Sequence, residues 1–307
     1  MRVSVVLCTH NPRVWSFDQA LASLARQSLR EFELVVVDNA STPPLPLDRV
    51  RAPFASAGSI DVRLTAEPRP GLTGARCRGI AETTGDLIVF VDDDNALDAD
   101  YLEAACAIAA AEPEVGAFGG VARASAALRI DAWKQPLVGH LGIRDNGPTA
   151  ITSREPHWGP WEPIGAGMVT RRAVAEQFAR TVAQQPGSSA LGRRGAHQMS
   201  GDDALMAHAS YARGYSCSYQ PALKLTHLIE PSRLDASMLA RTIYGHGRSH
   251  VILERVLGRP VERPGLAWLL TELPKRLAWR CRKEGVPTGL LSWCWDLGYA
   301  RQARSDA

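Results

Sequence analysis

The chain lacks clustered cysteines, long apolar runs and any strong excess of charge. Its six cysteines have no C-x-x-C spacing, which argues against a zinc cluster or a disulfide framework and suits a reducing cytoplasm. A net charge of +3 is too small to indicate nucleic acid as the main partner. No apolar run approaches the roughly 20 residues that cross a bilayer, and we expect no signal peptide. These absences predict a cytoplasmic protein, free in solution or peripheral on the inner face of the cell membrane.

What the chain does contain is a regular alternation of apolar β-branched runs and helical periods. The runs at 2–8, 32–37 and 87–91 are apolar at nearly every position, which is typical of strands buried on both faces of a parallel sheet. Helices are predicted over 15–29, 71–84 and 98–111. The alternation predicts an α/β fold with a mainly parallel sheet flanked by helices.

Polar residues follow three of the predicted strands. The groups are Thr9-His10-Asn11, Asp38-Asn39 and Asp92-Asp93-Asp94. In open α/β sheets, ligands bind beyond the carboxyl ends of the strands. This edge of the sheet therefore predicts a ligand site.

The three adjacent aspartates are the most informative of these groups. A divalent cation would relieve their mutual repulsion, because Mg²⁺ and Mn²⁺ prefer oxygen ligands and join carboxylates to phosphates. Alternate residues of an extended chain point the same way, which would aim Asp92 and Asp94 at one site. The alternative is an acidic turn that caps the helix at 98–111.

Other polar residues each allow a functional and a structural interpretation. Asp38 binds the ribose hydroxyls of a nucleotide, or forms a turn. Arg76, near a helix N-terminus, binds an anion or lies on the surface. Asp202-Asp203 supply a general base, or are two acids at a helix N-terminus that the helix dipole stabilises. His227 is a metal or phosphate ligand, or structural.

Three further features also have two interpretations. The segment Gly245–His250, with His246 and Arg248, is a flexible cluster that closes over a diphosphate, or a helix-breaking surface loop. Trp158 and Trp161 stack on sugar rings, or pack in the core.

Taken together, these pieces resemble the family 2 glycosyltransferases with the GT-A fold. The resemblance spans roughly residues 2–250. Its pieces are Val3–Asn11, Phe32–Asn39, Gly71–Gly79, Phe90–Asp94 as the DxD element, and Gly165-Ala166-Gly167-Met168 with Gly201-Asp202-Asp203 on the acceptor side.

The resemblance implies an inverting transfer from a nucleoside diphosphate sugar, UDP or GDP rather than dTDP, in bacterial polysaccharide or glycolipid synthesis. The acceptor would be a carbohydrate or a lipid-linked sugar. Mn²⁺ or Mg²⁺ would be held by Asp94, Asp92 and His227, and Asp203 would be the base where the family has a Glu-Asp pair. The expected nucleotide ligands are Thr9, His10, Asn11, Asp38, Asn39, Arg76, Asp92 and Asp93. The diphosphate or acceptor candidates are His246, Arg248, Trp158, Trp161 and Gly167.

We predict a GT-A catalytic domain over 1–250, with a donor half (1–121) and an acceptor half (122–250), followed by a helical extension over 251–307. In the extension, tryptophans and leucines alternate with lysines and arginines. That pattern suits a helix lying on a membrane. It also suits a helical hairpin that packs on the catalytic domain or on a second subunit.

Two other functions compete with glycosyl transfer. A sugar-phosphate nucleotidyltransferase also uses acidic residues and a metal on a similar sheet, but no glycine-rich, basic phosphate loop follows the first strand here. A non-catalytic carbohydrate-binding protein would keep its function when the acidic residues are substituted. Product analysis and substitution of the acids separate the three.

Overall fold

The computed structural model describes residues 1–58, 60–195 and 198–305, and within them nine strands form one sheet. The strands are β1 (Val3–Thr9), β2 (Phe32–Asp38), β3 (Asp61–Ala66), β4 (Leu87–Asp92), β5 (Asn95–Leu97), β6 (Val115–Ala124), β7 (Ile151–Ser153), β8 (Val169–Arg171) and β9 (Ser216–His227). The helices are α1 (Val14–Ala25), α2 (Leu47–Arg51), α3 (Leu72–Glu82), α4 (Tyr101–Ala111), α5 (Arg172–Gln184), α6 (Asp202–Ala212), α7 (Ala236–Val256), α8 (Leu266–Glu284) and α9 (Val286–Arg304). The predicted extension over 251–307 includes residues 306–307, which lie outside the described ranges.

The sheet is mixed, with a parallel first half. Its order is β3-β2-β1-β4-β8-β6-β9-β5, and β7 pairs with β9. The strands β3, β2, β1 and β4 run parallel, whereas β8 runs antiparallel to both of its neighbours. The strands β6 and β9 continue the first direction. The predicted mainly parallel α/β sheet is confirmed.

Both faces of the sheet are covered, which explains the continuous apolar runs. Successive strand residues point to opposite faces, so β1 sends Val5 and Leu7 into one core and Val6 and Cys8 into the other. Helices α1 and α4 cover the first face, and α3, α5 and α6 cover the second. A third, smaller core lies between α7 and α9.

The sequence over 164–170 predicts a strand, and this prediction is wrong for most of its length, since β8 spans only Val169–Arg171. Gly167 has a φ of 72°, a left-handed conformation that interrupts an extended chain. The short strand β5, which follows the three aspartates directly, was not predicted.

The interpretation of Gly245–His250 as a flexible or helix-breaking loop is also wrong, because the segment lies inside α7. Its glycines serve close packing: a Cβ at Gly247 would lie 2.1 Å from the carbonyl oxygen of Trp295 on α9. Helix α7 runs through residue 250, the predicted end of the catalytic domain, and that division stays a prediction. None of the helices in the described ranges has the length and hydropathy that crossing a bilayer requires.

Candidate functional site

The polar ends of β1, β2 and β4 lie side by side at one edge of the sheet. Thr9 pairs with Asp38 across β1 and β2, and Cys8 pairs with Asp92 across β1 and β4. A cavity of about 1260 Å³ opens at this edge. The predicted site residues that line it are Thr9, His10, Asn11, Asn39, Arg76, Asp92, Asp93, Asp94, Trp158, Asp202, Asp203, His227 and His246.

Asp93 is fixed against the first strand, because the Thr9 hydroxyl donates a hydrogen bond to its carboxylate. Burial raises the pKa of Asp93 to about 7, and the neighbouring charge of Asp94 adds to the rise. Asp93 and Asp94 lie in a turn rather than an extended segment. The alternation of side chains along a strand therefore does not set their orientation.

Asp94 contacts His227, since β5 pairs with β9 and sets Asn95 opposite His227. An Asp94 carboxylate oxygen lies 3.2 Å from His227 Nε2 and accepts a hydrogen bond of 3.1 Å from the Asn95 amide. Burial alone would raise the pKa of Asp94, but the charge and hydrogen bond of His227, together with nearby arginine charges, lower the pKa to about 2. Burial alone would lower the pKa of His227, and Asp94 reverses that effect and raises it.

The donor chemistry at Asp92, Asp94 and His227 fits a divalent metal in part. Two carboxylates and an imidazole are suitable ligands, and His227 Nδ1 is buried without a hydrogen-bond partner in the structure. However, among the described residues no three acidic, histidine or cysteine side chains are grouped closely enough to hold a metal by themselves. A metal here would need further oxygens, as Mg²⁺ obtains from phosphates and water.

Arg76 lies in the floor of the cavity between two acids. Its Nη1 is 2.7 Å from an Asp202 oxygen and its Nη2 is 3.3 Å from an Asp92 oxygen. Gly165 makes room for it, since a Cβ there would lie 2.7 Å from Nη2. With its side chain only 4% exposed, Arg76 is engaged by protein carboxylates rather than free to approach a phosphate. Its predicted contact with the nucleotide stays a prediction.

The structure separates the two adjacent acids at the start of α6. Asp202 is buried in the ion pair with Arg76; burial raises its pKa, and the guanidinium acts in the opposite direction. Asp203 is half-buried and accepts hydrogen bonds from the backbone N–H groups of Gly165 (3.2 Å) and Ala204 (2.9 Å). These bonds orient the Asp203 carboxylate, and no basic side chain pairs with it among the described residues.

Four predicted site residues do not line the cavity. Both carboxylate oxygens of Asp38 accept backbone N–H groups, from Ser41 at 3.0 Å and Leu45 at 2.9 Å, so this residue shapes a turn. Gly167 accepts a hydrogen bond from the hydroxyl of Tyr101, which buries its carbonyl. Their predicted ligand roles have no direct support in the geometry.

Trp161 and Arg248 are the other two residues outside the cavity. Trp161 Nε1 donates to the Tyr211 hydroxyl at 3.1 Å, where the connection between β7 and β8 packs against α6. Arg248 Nε donates to the side chain of Gln302 on α9 at 3.0 Å. Arg248 is therefore part of the contact between α7 and α9.

Two arginines that were not predicted supply positive charge beside Asp94. Arg193 and Arg233 line the cavity, and both charges lower the pKa of Asp94. Burial lowers the pKa of Arg233 to about 10, and Arg193 adds to that effect by repulsion. Arg193 lies in a loop and Arg233 in a single turn of 3-10 helix (Pro231–Leu234), and neither segment has a periodicity that indicates which way the side chain faces.

Glu162 and His140 were missed as well. Burial raises the pKa of Glu162 to about 7, and its carboxylate accepts a 3.0 Å hydrogen bond from Tyr211. His140 Nδ1 lies 2.9 Å from His246 Nδ1, although 106 positions separate the two histidines. The only sequence signal was their position between Gly and Pro residues, which says nothing about these partners.

Comparison with known families identifies the family of the chain. The model for the family described as Glycosyl transferase family 2 matches residues 4–178, more than half of the chain. The chain belongs to this family. The resemblance inferred from the sequence is therefore confirmed, and the matched range of this family 2 glycosyltransferase includes the ends of β1, β2 and β4.

Two curated relatives of this family 2 glycosyltransferase match over short stretches. The glucosyl-dolichyl phosphate glucuronosyltransferase of Haloferax volcanii is 31% identical over 121 residues, which cover 39% of this chain and 38% of the relative. The uncharacterized glycosyltransferase YwdF of Bacillus subtilis is 30% identical over 103 residues, covering 34% and 36%. The chain thus spans less than half the length of either relative.

The fold has a counterpart among solved structures. The mannosyltransferase PcManGT from Pyrobaculum calidifontis, in complex with GDP-Man and Mn²⁺, superposes with a TM-score of 0.55 at 17% identity. The match covers 97% of this chain and 86% of that chain. It confirms the GT-A fold of this family 2 glycosyltransferase.

Proposed function

We propose that this chain transfers a sugar from UDP or GDP to a hydroxyl of a carbohydrate or lipid-linked acceptor, with inversion at the anomeric carbon. The observation that carries the proposal is the position of Asp203. Its carboxylate lines the same cavity as Asp92, Asp93 and Asp94 without a cationic partner among the described residues. One cavity thus combines an acidic cluster suited to a phosphate-bound cation with a separate acid able to accept a proton.

The donor diphosphate would bind between the acidic cluster and the two arginines. Arg193 and Arg233 supply fixed positive charge where the leaving group develops negative charge, and such preorganised charge is a large contribution to catalysis. A divalent cation held by Asp94 and Asp92 would add Lewis-acid stabilisation of the diphosphate. The Mn²⁺ in the PcManGT complex supports this proposal for the fold but identifies no metal for this chain.

On the other side of the sugar, Asp203 would take the proton of the acceptor hydroxyl. The acceptor oxygen bonds to the anomeric carbon as the bond to the diphosphate breaks, which inverts the configuration. The backbone bonds from Gly165 and Ala204 keep the carboxylate oriented for that transfer. General-base catalysis of this kind contributes about 10²–10⁴-fold.

The acceptor class is supported only by the cavity and by one relative. Trp158 is 62% exposed at the cavity mouth, where an aromatic face suits a sugar ring. The Haloferax relative is named for glucosyl-dolichyl phosphate, which makes lipid-phosphate-linked sugars the first acceptors to test.

Product analysis tests the proposal without knowledge of the acceptor. A set of UDP-, GDP- and dTDP-sugars is first screened by thermal shift with and without Mn²⁺, since a ligand of the native state raises its stability. The donor that binds is then incubated with water as acceptor. We expect release of the nucleoside diphosphate and, by early NMR spectra, a sugar of inverted configuration. A sugar of retained configuration would overturn the proposal, and so would release of pyrophosphate when the chain is given a nucleoside triphosphate and a sugar 1-phosphate instead.

A further inference from the structure

The cavity continues beyond the aspartates along one face of α7. His246, His250 and Glu254 line it, and their spacing of four residues puts them on the same side of the helix. Burial lowers the pKa of His246, and the charges of Arg193 and Arg233 add to that effect, so this residue marks the end of the face beside the arginines. From His246 to Glu254 the helix rises about 12 Å. The cavity is therefore longer than one hexose ring.

The far end of this face carries an arginine that joins two segments. Arg259 follows α7; its Nη1 lies 3.3 Å from a Glu254 carboxylate oxygen, and its Nη2 donates to the carbonyl of Pro156 at 3.0 Å. Trp158 follows Pro156 in the same loop and lines the cavity, with no hydrogen bond or ring contact to any described residue. Arg259 thus fixes the loop of an exposed, unpartnered aromatic ring to the end of α7.

Glu162 connects this far end with the proposed base. Burial raises the pKa of Glu162, the charge of Asp203 adds to the rise, and the charge of Arg259 opposes it. Glu162 itself lines the cavity and lies close to both charges. An acceptor whose reacting hydroxyl meets Asp203 would therefore extend past Glu162 towards Arg259 and Trp158.

The far end has many polar groups but little net charge. His208 and His250 line it; burial lowers the pKa of His208 to about 4 and lowers that of His250 as well, so both imidazoles are neutral near pH 7. The charge of Arg259 is balanced by Glu254. A phosphate or carboxylate would need an unbalanced cation to offset its desolvation. A sugar instead offers hydroxyls that match paired donors and acceptors, and a CH face that packs on an aromatic ring.

We propose that Trp158, His208, His250, Glu254 and Arg259 form an outer acceptor subsite, which binds an uncharged sugar unit next to the unit whose hydroxyl reacts. The ring would stack on Trp158, and its hydroxyls would bond to the Glu254–Arg259 pair and to the two imidazoles. The acceptor would then end in at least two sugar units. This inference rests on the proposed function and specifies the acceptor for it.

Binding of the fluorescently labelled full chain to an array of uncharged and acidic mono- to tetrasaccharides tests the proposal. Titration calorimetry with the glycans that bind then gives the Kd. We expect binding to uncharged di- to tetrasaccharides. The corresponding monosaccharides, which cannot fill the outer acceptor subsite and the reaction site together, should bind at least about tenfold more weakly.

Two variants test the residues separately. Trp158→Ala should raise the Kd for uncharged disaccharides about tenfold, because the stacking surface is lost. Glu254→Gln should raise it by about the same factor. Because it leaves the charge of Arg259 unbalanced, Glu254→Gln should also bring new binding to acidic disaccharides. A purely structural role of Glu254 would not produce this change of preference.

Matched controls change residues of the same type outside the cavity. Trp15→Ala on α1 and Glu272→Gln on α8 alter exposed side chains and should bind like the wild type. The proposal is overturned if no glycan binds, if monosaccharides or acidic glycans bind wild type as tightly as uncharged disaccharides, or if Trp158→Ala and Glu254→Gln bind like the controls. Donor hydrolysis with water as acceptor reports separately on the proposed function: a wild type that hydrolyses donor but binds no disaccharide lacks only the outer acceptor subsite.

Discussion

The two walls of the cavity are built in different ways. The donor wall is formed by the ends of β1, β2 and β4, three neighbouring strands whose pairing alone brings Thr9 and Asp92 together. The cap wall is formed by side chains from distant segments, such as Glu162 with Tyr211 and His140 with His246. Arg76 joins the two walls by binding Asp92 on one and Asp202 on the other.

We expect this difference to give the two walls different roles. A wall fixed by backbone pairing suits the part of the substrate that all donors share, the nucleoside diphosphate. A wall held by side-chain contacts can change with fewer consequences for the sheet, which suits recognition of a particular acceptor. The prediction is that the walls depend on each other chiefly through Arg76.

Arg76→Met should have the largest effect, because it leaves the Asp202 carboxylate buried and unpaired. Loss of one partner of a buried ion pair typically costs about 3–5 kcal/mol. Urea denaturation would measure the change in the free energy of unfolding. The control is Arg78→Met on the same helix, whose ion pair with Glu82 is solvent-exposed and should matter by less than about 1 kcal/mol. Equal effects would mean that Arg76 does not join the walls.

Gly247→Ala tests the packing behind the cap wall. The new Cβ would meet the carbonyl oxygen of Trp295 at 2.1 Å, so α7 and α9 must separate. Overpacking of this kind costs about 1–3 kcal/mol, measured by thermal or urea unfolding. At Gly187 the nearest atom to an added Cβ is a Val256 methyl at 3.6 Å, so Gly187→Ala should be nearly neutral. A neutral Gly247→Ala would show that the helices are loosely packed.

Arg233→Gln sharpens the assignment of positive charge to the donor wall. It removes a cation beside Asp94 and should raise the donor KM about tenfold, as expected for one charged hydrogen-bond partner lost. Steady-state donor hydrolysis measures the change. Arg26→Gln, at the exposed end of α1, serves as the control. An unchanged KM would remove Arg233 from the diphosphate site.

Glu162→Gln should have the smallest effect, and one that depends on pH. Burial raises the pKa of Glu162 to about 7, so the folded protein retains a proton that the unfolded chain releases at lower pH. Its contribution to stability is thus full below the ordinary glutamate pKa and is lost as the pH rises to about 7. The Gln variant should gain about 1 kcal/mol relative to wild type at pH 8 but not at pH 4.5, measured as a Tm difference. A difference independent of pH would contradict this.

The donor wall was predictable from the sequence because its information is local. A buried apolar run followed by Asp92-Asp93-Asp94 predicts both the strand and the edge of the sheet at which the acids lie. Even there, the sequence did not show that the Asp38 carboxylate would accept the backbone N–H groups of Ser41 and Leu45. An aspartate that forms a turn and one that binds a ligand look alike in a sequence.

The cap wall was not predictable because its signals are long-range. Gly245 and Gly247 were interpreted as marks of a loop, although in α7 they allow close approach by Gln198 and Trp295. The places of Arg193, Arg233 and Glu162 in the cavity depend on neighbours that are distant in the sequence. Asp203 was identified from the family resemblance, and the structure adds why it differs from Asp202: one acid is buried against Arg76 and the other is not.

The most direct test of the account measures donor binding and turnover in parallel for Asp94→Asn and Asp203→Asn. We predict that Asp94→Asn loses the Mn²⁺-dependent thermal shift produced by the donor. Asp203→Asn should keep that shift and lose about 10²–10⁴-fold in the rate of sugar transfer. A full transfer rate in Asp203→Asn, or loss of donor binding in that variant while Asp94→Asn keeps it, would contradict the division of labour between the two walls.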